Sequence, residues 1–394
     1  MCENGLFTHL NENHMDFLFF KELLSIDSTS GKERKVAEWL ADRLPGMFPE
    51  ANRPALRVDE VGDGTLNLLL TWGTPNIVYC SHLDTVPPYM EPLFPEGVFL
   101  SESSLCDPSH GKPWAPPSYV AEGGHRLGEE HPLQETTIKG RGSCDAKGQV
   151  FAMVTACQRL AETGETNFGL LLLAGEETGS WGAKAFAKTE FKAEYLVVGE
   201  PTDNCMVSAS KGTKSFDLKF TGVPFHSGYP QYGVSAVDLF MKFVNALKAK
   251  DFGLDPVLGE TTWNIGLLHS DNPQNILSPE LTCRLYFRTT FVSDEAVTAW
   301  MAEAPSVIPG LTGKLAVTPR GGDTPARYWT VEGLPTKSVA FGSDAPHLKN
   351  FTHKAICGPG SITVAHRDDE CVRIADLDTA VEQYVMLFNA AQHG

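Results

Sequence analysis

The sequence predicts an α/β protein whose mostly parallel sheet is interrupted by a smaller, inserted α+β domain. In the first half of the chain, and again near its end, continuous apolar runs of four to six residues alternate with helical segments. Such runs are typical of strands buried on both faces of a parallel sheet. Between them, strands alternate apolar and polar residues, as in a sheet with one solvated face. We therefore predict one domain formed by residues 1–210 and 321–394, and a second formed by residues 211–320.

The elements of the first domain follow from these runs and from helical spacing. Residues 14–44 are predicted to be helical, with a polar break at 25–33. Further elements are expected as helices at 149–160, 181–188 and 377–392, and as strands at 67–70, 76–80, 169–174, 195–198 and 352–357. Residues 91–136 are rich in Pro, Gly and Ser, and contain His110, His125 and His131. A connection of this length either has a mobile or packing role or helps to shape a site, and the sequence leaves both open.

The inserted segment has the order β-α-β-β-α-β, which is that of the ferredoxin-like motif. The predicted elements are strands at 215–221, 262–269, 281–291 and 314–318, and helices at 233–250 and 293–302.

Composition excludes several classes of partner. The chain has 394 residues, with 32 Lys and Arg against 49 Asp and Glu, which gives a net charge of −17. An acidic protein of this kind repels phosphate backbones, so we expect no nucleic-acid partner. No apolar run reaches the roughly 20 residues of a membrane span, and no secretory signal begins the chain. Nine cysteines without a CxxC pair favour reduced thiols, so we expect a soluble cytoplasmic protein.

The predicted strands deliver metal-binding side chains to one edge of the sheet, because ligands bind beyond the carboxyl ends of strands in such folds. These side chains are His82, Asp84, Asp145, Glu176, Glu177, Glu200 and His366. Two imidazoles with several carboxylates form the ligand set of zinc hydrolases, and a shared carboxylate suits a two-metal centre. Taken singly, His82 could be a structural histidine, Glu176–Glu177 a helix start, and Asp145 an N-cap. Their joint position at one edge favours a metal site.

Motifs along nearly the whole chain resemble those of one family. They are SHLDTVP at 81–87, GRGSCDAKG at 140–148, GEE at 175–177, GEPT at 199–202, GVPFHS at 222–227, and GPG at 358–360 with the later AH and DE pairs. The chain resembles the aminoacylase and desuccinylase family of dizinc amidohydrolases, and most of all acetylornithine deacetylases. Two features depart from that branch: the segment 341–347 resembles a Gly-Thr-Asp-Ala segment of other branches, and Tyr229 is aromatic where a small residue is usual.

The resemblance implies a role for each residue of the edge. Asp145 would bridge two divalent ions. We expect these to be zinc, with cobalt as an alternative, since the same ligands accept both. His82 and Glu200 would complete one site, and Glu177 and His366 the other. Glu176 would be the general base, and Asp84 would orient His82.

The resemblance also implies functions for the inserted domain. His226 would stabilise the oxyanion, often from the neighbouring subunit, so a homodimer formed through the inserted domains is expected. Arg288 would receive a substrate carboxylate and Asn275 would face the site, although Arg288 could equally be an exposed residue of its strand. The strand with Leu281 and Phe287 is expected to be an edge strand that could form the dimer contact.

The expected activity is hydrolysis of an N-acyl amino acid, with N-acetylornithine as the leading substrate and arginine biosynthesis as the setting. Succinyl-diaminopimelate, N-acetylcitrulline, acetyl-lysine and dipeptides remain alternative substrates. A non-catalytic protein that binds metal or amino acids is the alternative from another class. No residue of the predicted base or ligand set is missing, which disfavours that alternative.

Overall fold

The computed structural model describes residues 15–95 and 136–393. The helices are α1 (Phe17–Ser25), α2 (Arg34–Arg43), α3 (Lys147–Glu162), α4 (Trp181–Phe186), α5 (Ala236–Ala249), α6 (Asp294–Val307) and α7 (Ile374–His393). The strands are β1 (Ala55–Val61), β2 (Thr65–Trp72), β3 (Ile77–His82), β4 (Thr137–Lys139), β5 (Phe168–Leu173), β6 (Ala193–Val198), β7 (Met206–Ser210), β8 (Gly212–Thr221), β9 (Leu254–Asp255), β10 (Gly259–Glu260), β11 (Thr262–His269), β12 (Glu280–Thr289), β13 (Leu315–Gly321), β14 (Ala326–Arg327), β15 (Thr336–Val339), β16 (Phe351–Ile356) and β17 (Cys371–Arg373). Most of the connection at 91–136, including His110, His125 and His131, lies outside the described residues.

The chain divides into two compact units. The first contains the described residues up to Met206, together with Thr330–Pro335 and the chain from Ser343 onward. The second contains Val207–Trp329 and Thr336–Gly342, and so extends on both sides of the 211–320 segment.

The first unit is built on a six-stranded sheet in the order β1-β2-β5-β3-β6-β16. Strands β5, β3, β6 and β16 run parallel, which confirms the predicted fold class. Strand β2, expected to be parallel, is antiparallel to both of its neighbours. It follows β1 after only the short turn Gly62–Gly64, and a connection of that length joins antiparallel strands.

Strand β1 was not predicted from the sequence. It lies at the edge of the sheet, and most of its residues are exposed or half-buried. An edge strand with charged residues lacks the apolar run that marked the central strands. By contrast, every residue of β3 and β5 is buried, and helix α3 packs against both.

The second unit has the ferredoxin-like arrangement. Its antiparallel sheet has the order β11-β12-β8-β13, and helices α5 and α6 pack on it. Phe216, Phe220, Phe243, Leu285 and Phe287 are among the side chains that form the core between sheet and helices.

The expected edge strand is in fact internal. Strand β12 lies between β11 and β8, so its two sides are already paired. The side chains of Leu281, Cys283, Leu285 and Phe287 are buried in the core, and the prediction of an edge contact through them is wrong. The alternation that suggested it reports one buried face, and carries no information about neighbours in the plane of the sheet.

No helix in the described ranges is long and apolar enough to cross a membrane. The cysteines of the same ranges, Cys80, Cys144, Cys157, Cys205, Cys283, Cys357 and Cys371, are free thiols.

Gly222 provides a test of the backbone that leads to the His226 loop. A Cβ at this position would lie 2.4 Å from the carbonyl oxygens of both Ser278 and Val234, so the backbone would have to move. We expect Gly222→Ala to lower the free energy of unfolding by about 2 kcal/mol, as overpacking against rigid neighbours does. Gly266→Ala is the control, because nothing lies within 4 Å of its Cβ. Urea unfolding should show a change of less than about 1 kcal/mol for the control; equal midpoints for the two variants would contradict the packing described.

Candidate metal centre

The carboxyl ends of the parallel strands gather the predicted ligands in the first unit. His82 is the last residue of β3, and the turn after β5 carries Glu176 and Glu177. Glu200 follows β6 by two residues, and Asp145 lies just before α3. His366 lies in the loop after β16, with a left-handed backbone (φ 63°) and a side chain that is 49% exposed.

Asp145 contacts both histidines, one with each carboxylate oxygen. Its Oδ1 lies 3.0 Å from His82 Nε2, and its Oδ2 lies 3.3 Å from His366 Nε2. His366 Nε2 is also 2.9 Å from Glu177 Oε1. Ligand atoms of His82, Asp145 and Glu177 lie within 4.8 Å of one another, which is close enough to hold a metal ion. The position of Asp145 between two imidazoles suits a ligand shared by two ions.

Asp84 holds His82 and the glutamate turn together. The Nδ1 of His82 lies 2.9 Å from the backbone carbonyl oxygen of Asp84, whereas the carboxylate Oδ1 is 3.5 Å away. A donor at Nδ1 leaves Nε2 as the nitrogen available to a metal. The Asp84 carboxylate accepts the backbone N–H groups of Glu176 and Glu177 and the hydroxyl of Ser30. Its side chain therefore positions the turn, and its carbonyl orients the imidazole.

Glu370 fixes the loop that carries Asp145. Its Oε1 accepts the backbone N–H groups of Gly142, Cys144 and Asp145 at 2.9–3.0 Å. Its Oε2 accepts the guanidinium of Arg141, and both side chains of this ion pair are buried. Glu370 belongs to the DE pair of the motifs, but its role could not be predicted from the sequence, because a carboxylate that binds backbone leaves no spacing signal.

Glu200 meets a test for metal binding. It is buried, and its Oε1 has no hydrogen-bond partner among the described residues. A buried carboxylate oxygen without a partner is costly unless a cation compensates it. Together with the imidazoles and carboxylates nearby, this oxygen fits a divalent metal centre.

Charge pairing determines the pKa values of the histidines. Burial lowers the pKa of His82, but hydrogen bonds to Asp145 and Asp84 outweigh it and place the pKa well above its ordinary value. Hydrogen bonds to Asp145 and Glu177 raise the pKa of His366 to about 10. Asp145 responds in the opposite direction, since the two imidazoles outweigh its burial and hold its pKa well below the usual range.

Burial dominates the other carboxylates. It raises the pKa of Glu176 well above the ordinary value, and the charges of Asp344, Glu177 and Asp145 raise it further. The pKa of Glu200 is raised in the same way by burial and by the charge of Glu176. A carboxylate whose proton is held more tightly than usual is suited to accept a proton from water near neutral pH.

Asp344 is a further acidic residue of this centre that the sequence analysis did not single out. It is buried, and its charge interacts with those of His82 and Asp84. Burial raises its pKa to about 6. Its signal was the Gly-Ser-Asp-Ala segment at 342–345, which does not follow one of the predicted strands.

The remaining predicted residues belong to the second unit. His226 is exposed, and its Nδ1 accepts the backbone N–H of Gly228 at 3.1 Å. Asn275 lies on the adjacent segment, where its backbone carbonyl oxygen accepts the backbone N–H of Ser227. Arg288 lies on β12 apart from this loop pair, with its guanidinium 5.0 Å from the ring centre of Tyr286.

The role of Glu370 can be tested against its neighbour in sequence. Glu370→Ala leaves Arg141 without its buried partner and removes three backbone hydrogen bonds, so we expect a loss of about 3–5 kcal/mol in the free energy of unfolding. Asp369→Ala is the control, because its ion pair with Arg367 is exposed and solvent screening leaves it little effect on stability. Chemical denaturation followed by circular dichroism measures both; a comparable loss in the two variants would refute the role of Glu370.

Known proteins resemble this chain over nearly its whole length. A probable carboxypeptidase of Aspergillus clavatus is 29% identical over 398 residues, which cover 95% of this chain and 88% of that protein. Among solved structures, a tripeptidase of Staphylococcus aureus has a TM-score of 0.73 at 18% identity, covering 97% of this chain and 99% of that one. The aminopeptidase PepT of Bacillus cereus has a TM-score of 0.70 at 19% identity, with the same coverage, and both structures share the fold. The model of peptidase family M20/M25/M40 matches residues 128–390, about two thirds of the chain, and the chain therefore belongs to this family of hydrolases.

Proposed function

We propose that this chain is a two-metal hydrolase that cleaves the amide bond between an acyl group and an amino acid with a free carboxylate. The observation that carries this proposal is the position of Asp145, whose two oxygens face two different imidazoles at the edge of the sheet. A carboxylate with one oxygen toward each imidazole suits a ligand that is shared by two ions.

The proposed ligands are those that the family resemblance implies. Asp145, which contacts both imidazoles, would be shared; His82 and Glu200 would complete one site, and Glu177 and His366 would complete the other. Imidazole and carboxylate ligands favour zinc, with cobalt as the alternative. Divalent cations bound there supply Lewis acidity toward the scissile carbonyl and toward the attacking water.

Glu176 is the proposed general base. Its backbone is held by Asp84, and its carboxylate is partly buried beside the ligand Glu177. It accepts a proton from the attacking water and donates that proton to the leaving nitrogen, so that the amine departs neutral. Its raised pKa supports both transfers.

His226 is the proposed donor to the oxyanion. Because its Nδ1 accepts the N–H of Gly228, the neutral ring carries its proton on Nε2 and can donate it. We propose that this donor comes from the partner subunit of a homodimer.

Two substrate classes fit the proposed reaction: peptides with a free C-terminus and N-acyl amino acids. A carboxypeptidase and an N-acyl amino acid deacylase cleave the same type of bond, since both release an amino acid whose carboxylate is free. Arg288 would bind that carboxylate, and Asn275 would contact the substrate. The name of the Aspergillus clavatus relative favours peptides, whereas the motifs at 199–202 and 358–370 favour N-acetylornithine.

A panel of substrates tests the proposal. The zinc-loaded protein is offered N-acetyl amino acids including N-acetylornithine, N-blocked dipeptides, free dipeptides and tripeptides, and the same peptides with an amidated C-terminus. We expect release of amine from substrates with a free carboxylate, and loss of at least about 100-fold in kcat/KM on amidation, as when a bidentate contact is removed. Cleavage that requires a free N-terminus and tolerates amidation would instead indicate an aminopeptidase, and no release from any substrate would indicate a binding protein.

Glu176→Gln separates the base from the ligands. We expect kcat to fall by about 10²–10⁴-fold while metal content and KM stay near those of the unaltered protein. Glu177→Gln is the comparison, because it should lower metal content as well as activity. Metal analysis with steady-state kinetics distinguishes the two; a Glu176→Gln variant with full kcat would place the base at another residue.

Mixing two inactive variants tests whether His226 acts between subunits. After dissociation and reassociation of His226→Ala with Glu176→Gln, half of the dimers are mixed, and each contains one intact site. We expect activity to return toward about a quarter of that of the unaltered protein. No recovery, with mixed dimers verified by mass spectrometry of tagged chains, would mean that His226 acts within its own chain or not at all.

A further inference from the structure

Asp344 is a buried carboxylate with no assigned function. Its residue is 1% exposed, and its Oδ1 has no hydrogen-bond partner among residues 15–95 and 136–393. Glu200, which is 4% exposed, has an unpaired oxygen in the same centre. Two buried carboxylate oxygens without donors, in one cluster of acidic groups, indicate a missing positive charge.

The charges that interact with Asp344 belong to the part of the centre that contains His82 and Glu200. Its carboxylate interacts with the charges of His82 and Asp84, and both Glu176 and Glu200 interact with it in turn. The hydroxyl of Ser180 is its hydrogen-bond donor. The cluster is therefore rich in negative charge on the side of His82 and Glu200.

From the burial of Asp344, its unpaired Oδ1 and these charge interactions, we infer that Asp344 is an additional anionic group of the metal centre, which acts through its charge to strengthen binding of the cation that His82 and Glu200 would hold. The inference rests on the proposed two-metal centre. Electrostatic attraction is strong where water is excluded, so a buried carboxylate near a divalent cation raises its affinity even without direct coordination. The same carboxylate is unfavourable when no cation is bound, because its Oδ1 has no donor and its charge repels those of Asp84, Glu176 and Glu200.

A purely structural role makes a different prediction. Ser180 has a left-handed backbone (φ 58°), and its N–H donates to the carbonyl oxygen of Glu176. Asp344 could hold this turn by accepting the Ser180 hydroxyl. In that case the amide of Asp344→Asn would still accept the hydrogen bond. Any loss of zinc affinity in Asp344→Asn would then be matched in Ser180→Ala, which lacks the hydroxyl.

The experiment compares Asp344→Asn with Ser180→Ala and the unaltered protein. Zinc affinities for both sites are measured at pH 8 by competition with a chromophoric chelator, and thermal unfolding is measured with EDTA and with zinc.

For Asp344→Asn we expect one of the two affinities to fall by about 10–100-fold and the other to stay unchanged. We also expect the unfolding temperature in EDTA to rise by about 2–4 °C, because an unpaired buried charge has been removed. Ser180→Ala should leave both affinities within about twofold of the unaltered protein, as expected when only a hydrogen bond to an outer group is lost.

The inference requires that Asp344→Asn lower the zinc affinity of one site and raise the unfolding temperature in EDTA. Unchanged affinities in Asp344→Asn, equal losses at both sites, or an unfolding temperature lowered in EDTA would overturn it. If Asp344→Asn does not fold, Asp344→Ala is measured with the same expectations for affinity. An unaltered protein that binds no zinc would instead refute the proposed centre itself, so the two failures are distinguishable.

Discussion

The carboxylate of Glu370 accepts three backbone N–H groups from the loop 142–145 and pairs with the buried guanidinium of Arg141. This loop ends in Asp145, whose oxygens face His82 and His366. The shared position of Asp145 therefore depends on an ion pair and on backbone hydrogen bonds that take no part in metal binding. Asp84 has the same relation to the turn of Glu176 and Glu177.

The buried carboxylates of the first unit differ in whether their oxygens have hydrogen-bond donors. Carboxylates that only position backbone, such as Glu370 and Asp84, have their oxygens paired with N–H groups. Glu200 and Asp344 each keep an unpaired oxygen within the centre. The distinction is physical: a carboxylate oxygen that has donors stabilises the fold, and one that has none is available to a cation.

Much of the site could be predicted from the sequence because buried parallel strands are easy to recognise. Apolar runs end at His82, just before the pair Glu176–Glu177 and near Glu200. Once the strands are taken as parallel, these side chains are expected at one edge of the sheet. Glu370 and Asp344 were beyond this reasoning, since each acts through tertiary contacts that no periodicity encodes. Strand β12 shows a related limit, because burial alternation gives the face of a strand and not its neighbours.

The two histidines of the centre differ greatly in solvent contact. The side chain of His82 is 2% exposed, whereas that of His366 is 49% exposed. In the proposed centre, water and competing chelators reach the ion on the His366 side first, while the ion beside His82 is shielded by the sheet. Two ions bound there would therefore exchange at unequal rates, and dialysis against a chelator would pass through a protein that still holds its inner ion.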